Sequence, residues 1–206
     1  AMKINQNTVL QGQRVTLVPY TSAHVPRYHK WMQSEELRRL TASEALSLEQ
    51  EYEMQRSWQE DADKCTFIVL DTEQWGRKTC AEEDCMVGDV NLFLTDAEDP
   101  SLGEIEVMIA GQVLLSKLLL FLGSFTGVKS LGLTKFEAKI GQENEASLCM
   151  FKKLHFKEVT VSNIFQEVTL RLDISDQERQ WLLEQTNHVQ EKSYTELKLP
   201  AGVLET

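Results

Sequence analysis

No stretch of this chain stays apolar long enough to cross a bilayer as a helix. The longest run, residues 113–122, is about half of the roughly 20 residues that a spanning helix needs, and Lys117 interrupts it. It reads as a buried helix packed on a sheet, so no membrane partner is expected. Cations are also scarce: 21 Lys and Arg stand against 32 Asp and Glu, for a formal net charge of −11 in 206 residues. Binding a phosphate backbone needs clustered Lys and Arg, so a nucleic-acid partner is excluded. The acidic balance serves solubility and suits a cationic substrate such as an amine or a basic peptide. Cysteines number four (Cys65, Cys80, Cys85 and Cys149) and histidines four (His24, His29, His155 and His188). Cys80 and Cys85 are close together, but no second Cys or His pair follows at ligand spacing, and no metal site is expected. Cys149, between Leu148 and Met150, reads as a buried structural thiol. The opening "AMKINQNTVLQGQ" is polar and unlike a secretory leader, which with unpaired thiols points to an intracellular compartment, cytoplasmic or nuclear.

Several segments alternate or repeat with clear periods. "RVTLVPY" (14–20), "CTFIVLD" (65–71), "MVGDVNLFLTD" (86–96), "GEIEVMIA" (103–110) and "GLTKFEAKI" (132–140) read as strands. "KEVTV" (157–161) and "IFQEVTLRLDI" (164–174) read as a hairpin. Helical spacing marks 22–34, 47–61, 144–156 and 175–186. The second of these helices opens on a capping box, Ser47 with Gln50 three residues on. Residues 72–85 carry no period and read as a loop. The pattern predicts one α/β domain (α+β in its segregation) over 3–190, a mixed sheet with helices on both faces, and a polar, flexible tail over 191–206.

"GQENEASLCMFKKLHFKEV" (141–159) takes this further. An Asn opens a helix that closes on "HF" before the next strand, and "GDVNLF" and "LGEIEVMIA" stand upstream. Together these resemble the GCN5-related N-acetyltransferases over most of the chain. The resemblance implies a mostly antiparallel, twisted sheet of about six or seven strands. It implies acetyl coenzyme A as acetyl donor and direct attack by an amine, a protein N-terminus or a lysine, with no metal. The main chain of Val107, Met108, Ile109 and Ala110 would bond the pantetheine arm; Gly111, Gln112, Asn144 and Ser147 would contact the cofactor beyond it. A base must take the ammonium proton. Glu104 and Glu106 share a strand face, and Glu106, nearer the expected splay, is the candidate. Asn144 also suits a plain helix N-cap, and both glutamates suit a solvated outer face.

The chain departs from the resemblance at two places. The family's Arg/Gln-x-x-Gly-x-Gly/Ala loop, whose small residues let backbone N–H groups cradle a pyrophosphate, is replaced here by "GQVLLSKLLLFLG". Phe151 stands where many members carry a Tyr that protonates the leaving thiolate, leaving Tyr20, Tyr28 and Tyr52 as substitutes. The clean replacement of one motif suggests a splice form, and a sibling chain differing only over about 111–130 is expected. The alternative function is a non-catalytic interaction module on the same fold.

Overall fold

A computed structural model describes residues 4–77, 79–94, 98–110 and 131–198 of the chain. Nine strands form a single sheet: β1 (Thr8–Gln11), β2 (Val15–Pro19), β3 (Lys64–Asp71), β4 (Met86–Phe93), β5 (Leu102–Ile109), β6 (Lys135–Gly141), β7 (Lys157–Ser162), β8 (Glu167–Asp173) and β9 (Gln190–Ser193). Their order across the sheet is β7-β8-β6-β5-β4-β3-β2-β1-β9. Every pairing is antiparallel except β5 with β6.

The strand count exceeds the six or seven expected, and both additions lie at one edge. β1 is a four-residue strand too short to show a period. β9 lies in the stretch read as tail: residues 190–193 pair with β1, and α7 (Tyr194–Lys198) follows. β9, at the edge, consists of polar residues that leave no hydrophobic pattern, whereas the buried Val9 and Leu10 of β1 are too few to show one. Residues 72–85 hold one short helix, α4 (Thr72–Gly76), and a 3-10 turn at Glu82–Cys85.

The remaining helices are α1 (Val25–Trp31), α2 (Glu35–Leu40), α3 (Leu48–Glu60), α5 (Glu145–Lys153) and α6 (Asp176–Gln185). The Ser47–Gln50 capping box forms as expected: the Ser47 side chain accepts from the Gln50 amide at 3.2 Å, and Gln50 Oε1 accepts from the Ser47 amide at 2.8 Å. α5 stops at Lys153 in a Schellman turn. The Phe156 amide donates to the Phe151 carbonyl at 3.1 Å and the His155 amide to Lys152 at 3.1 Å, with His155 at φ 69°. His155 sits where glycine is usual, and its ring stacks on Trp181 at 4.3 Å between centroids. Phe151 and Phe156 then meet edge-on at 5.0 Å.

Helices cover both sheet faces, and the strand period assigns each side chain to one of them. On one face Phe67, Val69, Val90, Leu92 and Ile105 pack against Phe151, Leu154 and Leu182 of α5 and α6. On the other, Val18, Ile68, Leu70 and Met108 pack against Val25 and Tyr28 of α1, with Tyr52 and Trp58 of α3 beside them. Burying each such side chain contributes about 1.5–3 kcal/mol. At Gly103 a β-carbon would come within 2.7 Å of Leu133 and 2.8 Å of Leu92, so no larger residue fits where β5 meets the core.

Candidate active site

β5 and β6 are hydrogen-bonded neighbours only at their starts: Leu102 faces Lys135, Gly103 faces Phe136 and Glu104 faces Glu137. Beyond that row β5 stays with β4 as far as Ile109, and β6 stays with β8 as far as Gly141. The sheet therefore splits between Ile105 and Ala138. Among the described residues, one edge of the β5 main chain beyond Glu104 is left without a strand partner, and a buried main-chain edge must find its hydrogen bonds elsewhere. A cleft of about 320 Å³ opens at the split, walled by Ile105–Met108, Ala138–Gly141, Tyr28, Trp58, Asn144 and Ser147.

Of the residues expected to hold the cofactor, Val107 and Met108 line this cleft, as do Asn144 and Ser147. Ile109 ends β5, and the Ala110 amide donates to the Val87 carbonyl at 2.9 Å. Gly111, Gln112 and the apolar run 113–122 lie outside the described residues. Asn144 caps α5: its Oδ1 accepts from the Ser147 amide at 3.1 Å. Its capping role and its place on the cleft wall coexist, since the cap uses one side-chain oxygen and leaves the amide group over.

Sheet register aligns the polar side chains of the face covered by α1 and α3 into rows. Lys64, Phe93 and Glu104 form one; Thr66, Asn91 and Glu106 the next; Ile68, Asp89 and Met108 the third. Glu104 and Glu106 both reach the cleft, but in different states. Lys139 Nζ lies 2.8 Å from Glu104 Oε2 and occupies it. Glu106 is open at the cleft mouth, and no ion pair to a described residue engages it. The cleft walls nevertheless desolvate its carboxyl, which raises it above the ordinary carboxylate range; Lys64 opposes the rise and Glu104 adds to it.

Asp89 was not singled out by the sequence reading. It is 1% exposed, lines the cleft, and has one oxygen, Oδ1, without a hydrogen-bond partner among the described residues. The other oxygen accepts from Asn91 Nδ2 at 2.9 Å, while Asn91 Oδ1 accepts from Thr66 Oγ1 at 2.6 Å. Burial pushes the Asp89 carboxyl up to about 7, despite opposition from the Asn91 bond and Lys64; Glu106 reinforces the rise. One signal could have found it: an Asp and an Asn two apart inside the apolar strand "MVGDVNLFL" must face the same side and be satisfied there.

Phe151 is buried against Phe156 on the cleft wall and has no proton to give. Of the three tyrosines considered in its place, Tyr28 lines the cleft. Burial holds its phenol well above the ordinary range, with Asp89 and Tyr20 adding to this, so it keeps its proton through neutral pH. Cys149, expected to be buried, is exposed: it lies on the outer side of α5, away from the Phe151 stripe. Among the described residues no group of three His, Cys, Asp or Glu could hold a metal ion, and no helix is long and apolar enough to cross a membrane.

The profile of the acetyltransferase (GNAT) domain matches residues 14–157. The human alpha/beta-tubulin-N-acetyltransferase 9 is 67% identical over 200 residues, covering 94% of this chain and 96% of that protein. An N-acetyltransferase 9-like protein of Nematostella vectensis is 50% identical over 177 residues, covering 84% of this chain and 89% of its own. Among solved structures, a spermidine N-acetyltransferase chimera from Vibrio cholerae superposes with a TM-score of 0.64 at 15% identity, over 83% of this chain and 99% of that one. The Campylobacter jejuni N-acetyltransferase PseH in complex with acetyl coenzyme A gives 0.55 at 13% identity, over 78% and 99%. The split sheet, the matched domain and these relatives agree: the chain belongs to the GCN5-related N-acetyltransferase family, enzymes that take their acetyl group from acetyl coenzyme A.

Proposed function

We propose that this chain acetylates a protein amine, with Asp89 and Glu106 dividing the handling of its charge. The observation that carries this reading is the split after Glu104, which sets an unpartnered main-chain edge beside two carboxylates of unlike burial. The free β5 edge at Val107 and Met108 would bond the pantetheine arm, as a third strand would. This lays the thioester near the base of the split. Glu106, open and without an ion pair, receives the incoming ammonium. Asp89 accepts its proton, because a carboxyl that titrates at about 7 is matched to neutral pH, as efficient general bases are. The neutral amine then attacks the thioester carbon directly, and the coenzyme thiolate leaves. Tyr28, which lines the cleft and is still protonated, would donate a hydrogen bond to it.

The acceptor is proposed from the relatives' own name: an amine of α- or β-tubulin. A peptide of the first residues of either tubulin, incubated with the chain and acetyl coenzyme A, should gain one acetyl group on its N-terminal amine. The reading predicts a rate that rises with pH and levels off above about 7. A folded chain that binds acetyl coenzyme A but modifies neither peptide would exclude tubulin as acceptor. A folded chain that binds no acetyl coenzyme A at all would favour the non-catalytic module.

A further inference from the structure

Lys64 is out of place for an ordinary lysine. It opens β3 and is 5% exposed, on the same sheet face as Asp89 and Glu106. Its ammonium stands 2.9 Å from the centre of the Trp58 ring and 4.6 Å from that of Phe93. Among the described residues no carboxylate lies within ion-pair distance of it. Buried lysines are almost always paired, and an aromatic slot beside unpaired carboxylates is how a protein receives a cation it does not own. Trp58 itself lines the cleft, as do Asp89, Asn91 and Glu106 in the two rows next to Lys64.

We infer that Lys64 is a target of the chain's own acetyl transfer, an internal acceptor amine at the edge of the active site. The inference rests on the acetyltransferase reading above. In the reaction a carboxylate of the cleft takes one proton from the Lys64 ammonium. The freed nitrogen pair attacks the thioester carbon, the carbon–sulfur bond breaks, and the thiolate leaves to be protonated. The products are an N-acetyl-lysine, coenzyme A and one proton. Burial prepares the amine for this by lowering its pKa to about 8, outweighing Glu106 and Asp89, which favour the charged form. At neutral pH about a tenth to a fifth of Lys64 is then already the free amine, on the order of a hundredfold more than for an exposed lysine. The modification limits itself, because the product removes the amine that occupies the slot and leaves a neutral amide against two aromatic rings. It also removes the cation that holds Asp89 and Glu106 down, so both carboxyls should titrate higher afterwards.

The test uses the unaltered chain. It is incubated with acetyl coenzyme A alone, digested and read by mass spectrometry, with the tubulin peptide run in parallel as external acceptor. The inference requires an acetyl group on Lys64 well before exposed lysines such as Lys153 and Lys157. The rate constant should be unchanged on dilution, and saturating peptide should slow the modification. Asp89→Asn should abolish acetylation of Lys64 while leaving slow chemical acetylation of surface lysines in place. Turnover of the peptide with Lys64 unmodified would overturn the inference and leave the acetyltransferase reading standing. Modification of Lys64 no faster than that of Lys157 would overturn it equally. Failure of both acceptors in a chain that binds acetyl coenzyme A would overturn this inference and exclude tubulin as acceptor; failure to bind acetyl coenzyme A would defeat the acetyltransferase reading itself.

Discussion

Replacing Asp89 by asparagine isolates the energetic consequence of burying a carboxyl with one oxygen unsatisfied. Asparagine copies the protonated acid in shape: its oxygen can accept from Asn91 as Asp89 Oδ2 does, and its amide stands where the acid would carry its proton. The folded-state pKa is raised from 3.8 to about 7, so the folded protein binds the Asp89 proton more tightly than the unfolded chain does. A raised carboxyl contributes stability that is complete below the unfolded pKa and is lost as pH climbs through the folded one. The window is therefore about pH 4 to pH 7, and three units at 1.36 kcal/mol each amount to about 4 kcal/mol. Wild type and Asp89→Asn should be of similar stability near pH 4 and separate steadily above it, the variant leading by about 3–4 kcal/mol at pH 8. Urea unfolding of both proteins across this range measures the difference directly. Groups common to both, including the raised carboxyls of Glu51 and Glu106, largely cancel. Parallel stability curves between pH 5 and pH 8 would refute the claim that Asp89 is held protonated by burial, and the base assignment would fall with it.

Three further perturbations test other parts of the arrangement. Glu106→Gln should raise KM for the acceptor by about tenfold and leave the pH dependence of turnover in place, as expected for a residue that binds the ammonium; loss of the pH dependence in steady-state assays would make Glu106 the base. Asn144→Ala should lower stability by about 1 kcal/mol through the lost cap, as should Ser175→Ala at the start of α6; a drop in acetyl coenzyme A affinity confined to the Asn144 variant would show that this residue also touches the cofactor. Glu82 ties α7 to the body of the fold: its Oε1 accepts from His24 Nε2 at 3.0 Å and from the Tyr194 hydroxyl at 2.5 Å, and Lys198 Nζ lies 3.1 Å from Oε2. Burial alone would raise its pKa, but these partners overrule burial and depress it to about 2. A depressed carboxyl stabilises above its unfolded pKa, so Glu82→Gln should cost about 2–3 kcal/mol at neutral pH, and thermal melts of the two proteins should converge as pH falls from about 4.5 toward 2.

Much of this fold was legible because β6 and β8 alternate strictly, while β2 and β3 are short runs buried on both faces, as a sheet covered by helices on each side requires. The cleft strands, the Ser47 cap and the helix opening at Asn144 were each read from residues whose local chemistry admits few alternatives. β1 and β9 were not legible: they are four residues each and depend on a pairing between chain segments some 180 positions apart in sequence. The early stop of α5 was hidden for another reason. His155 takes a left-handed conformation that histidine seldom adopts, and only Trp181 and Glu178, both on another helix, explain why it does so here. At the cleft, alternation already placed Glu104 and Glu106 on one face of their strand, and both line it. It could not show that Lys139, on a strand brought alongside by a parallel crossover, engages Glu104 and leaves Glu106 free. Asp89 was passed over because a carboxylate inside an apolar strand carries no motif; the raised pKa that the proposed mechanism uses comes from three-dimensional burial.

The acceptor side and the phosphate side of the site rest on different stretches of chain, and that separation can be measured. Asp89, Asn91, Glu106, Tyr28 and the free edge of β5 all belong to described strands and helices ahead of residue 111. The resemblance implies that recognition of the coenzyme's pyrophosphate would fall to the segment that follows, where this sequence offers Gly111-Gln112 and an apolar run in place of paired glycines and an arginine. Each charge-assisted hydrogen bond to a phosphate contributes about 1.5–3 kcal/mol, so losing two of them weakens binding by roughly 3–6 kcal/mol, or two to four powers of ten. Acetyl-pantetheine carries the thioester and the arm but neither the pyrophosphate nor the nucleoside. Calorimetric titration should therefore give this chain similar affinities for acetyl-pantetheine and acetyl coenzyme A, whereas a relative that carries the glycine-rich loop should prefer the full coenzyme by about a hundredfold or more. The pH dependence of turnover at saturating donor should be the same in both proteins, since the lost contacts bind ground state and transition state alike. A hundredfold preference for acetyl coenzyme A in this chain would mean that N–H groups along residues 111–130 hold the pyrophosphate without glycine or arginine, and the loop would no longer be what defines a working donor site.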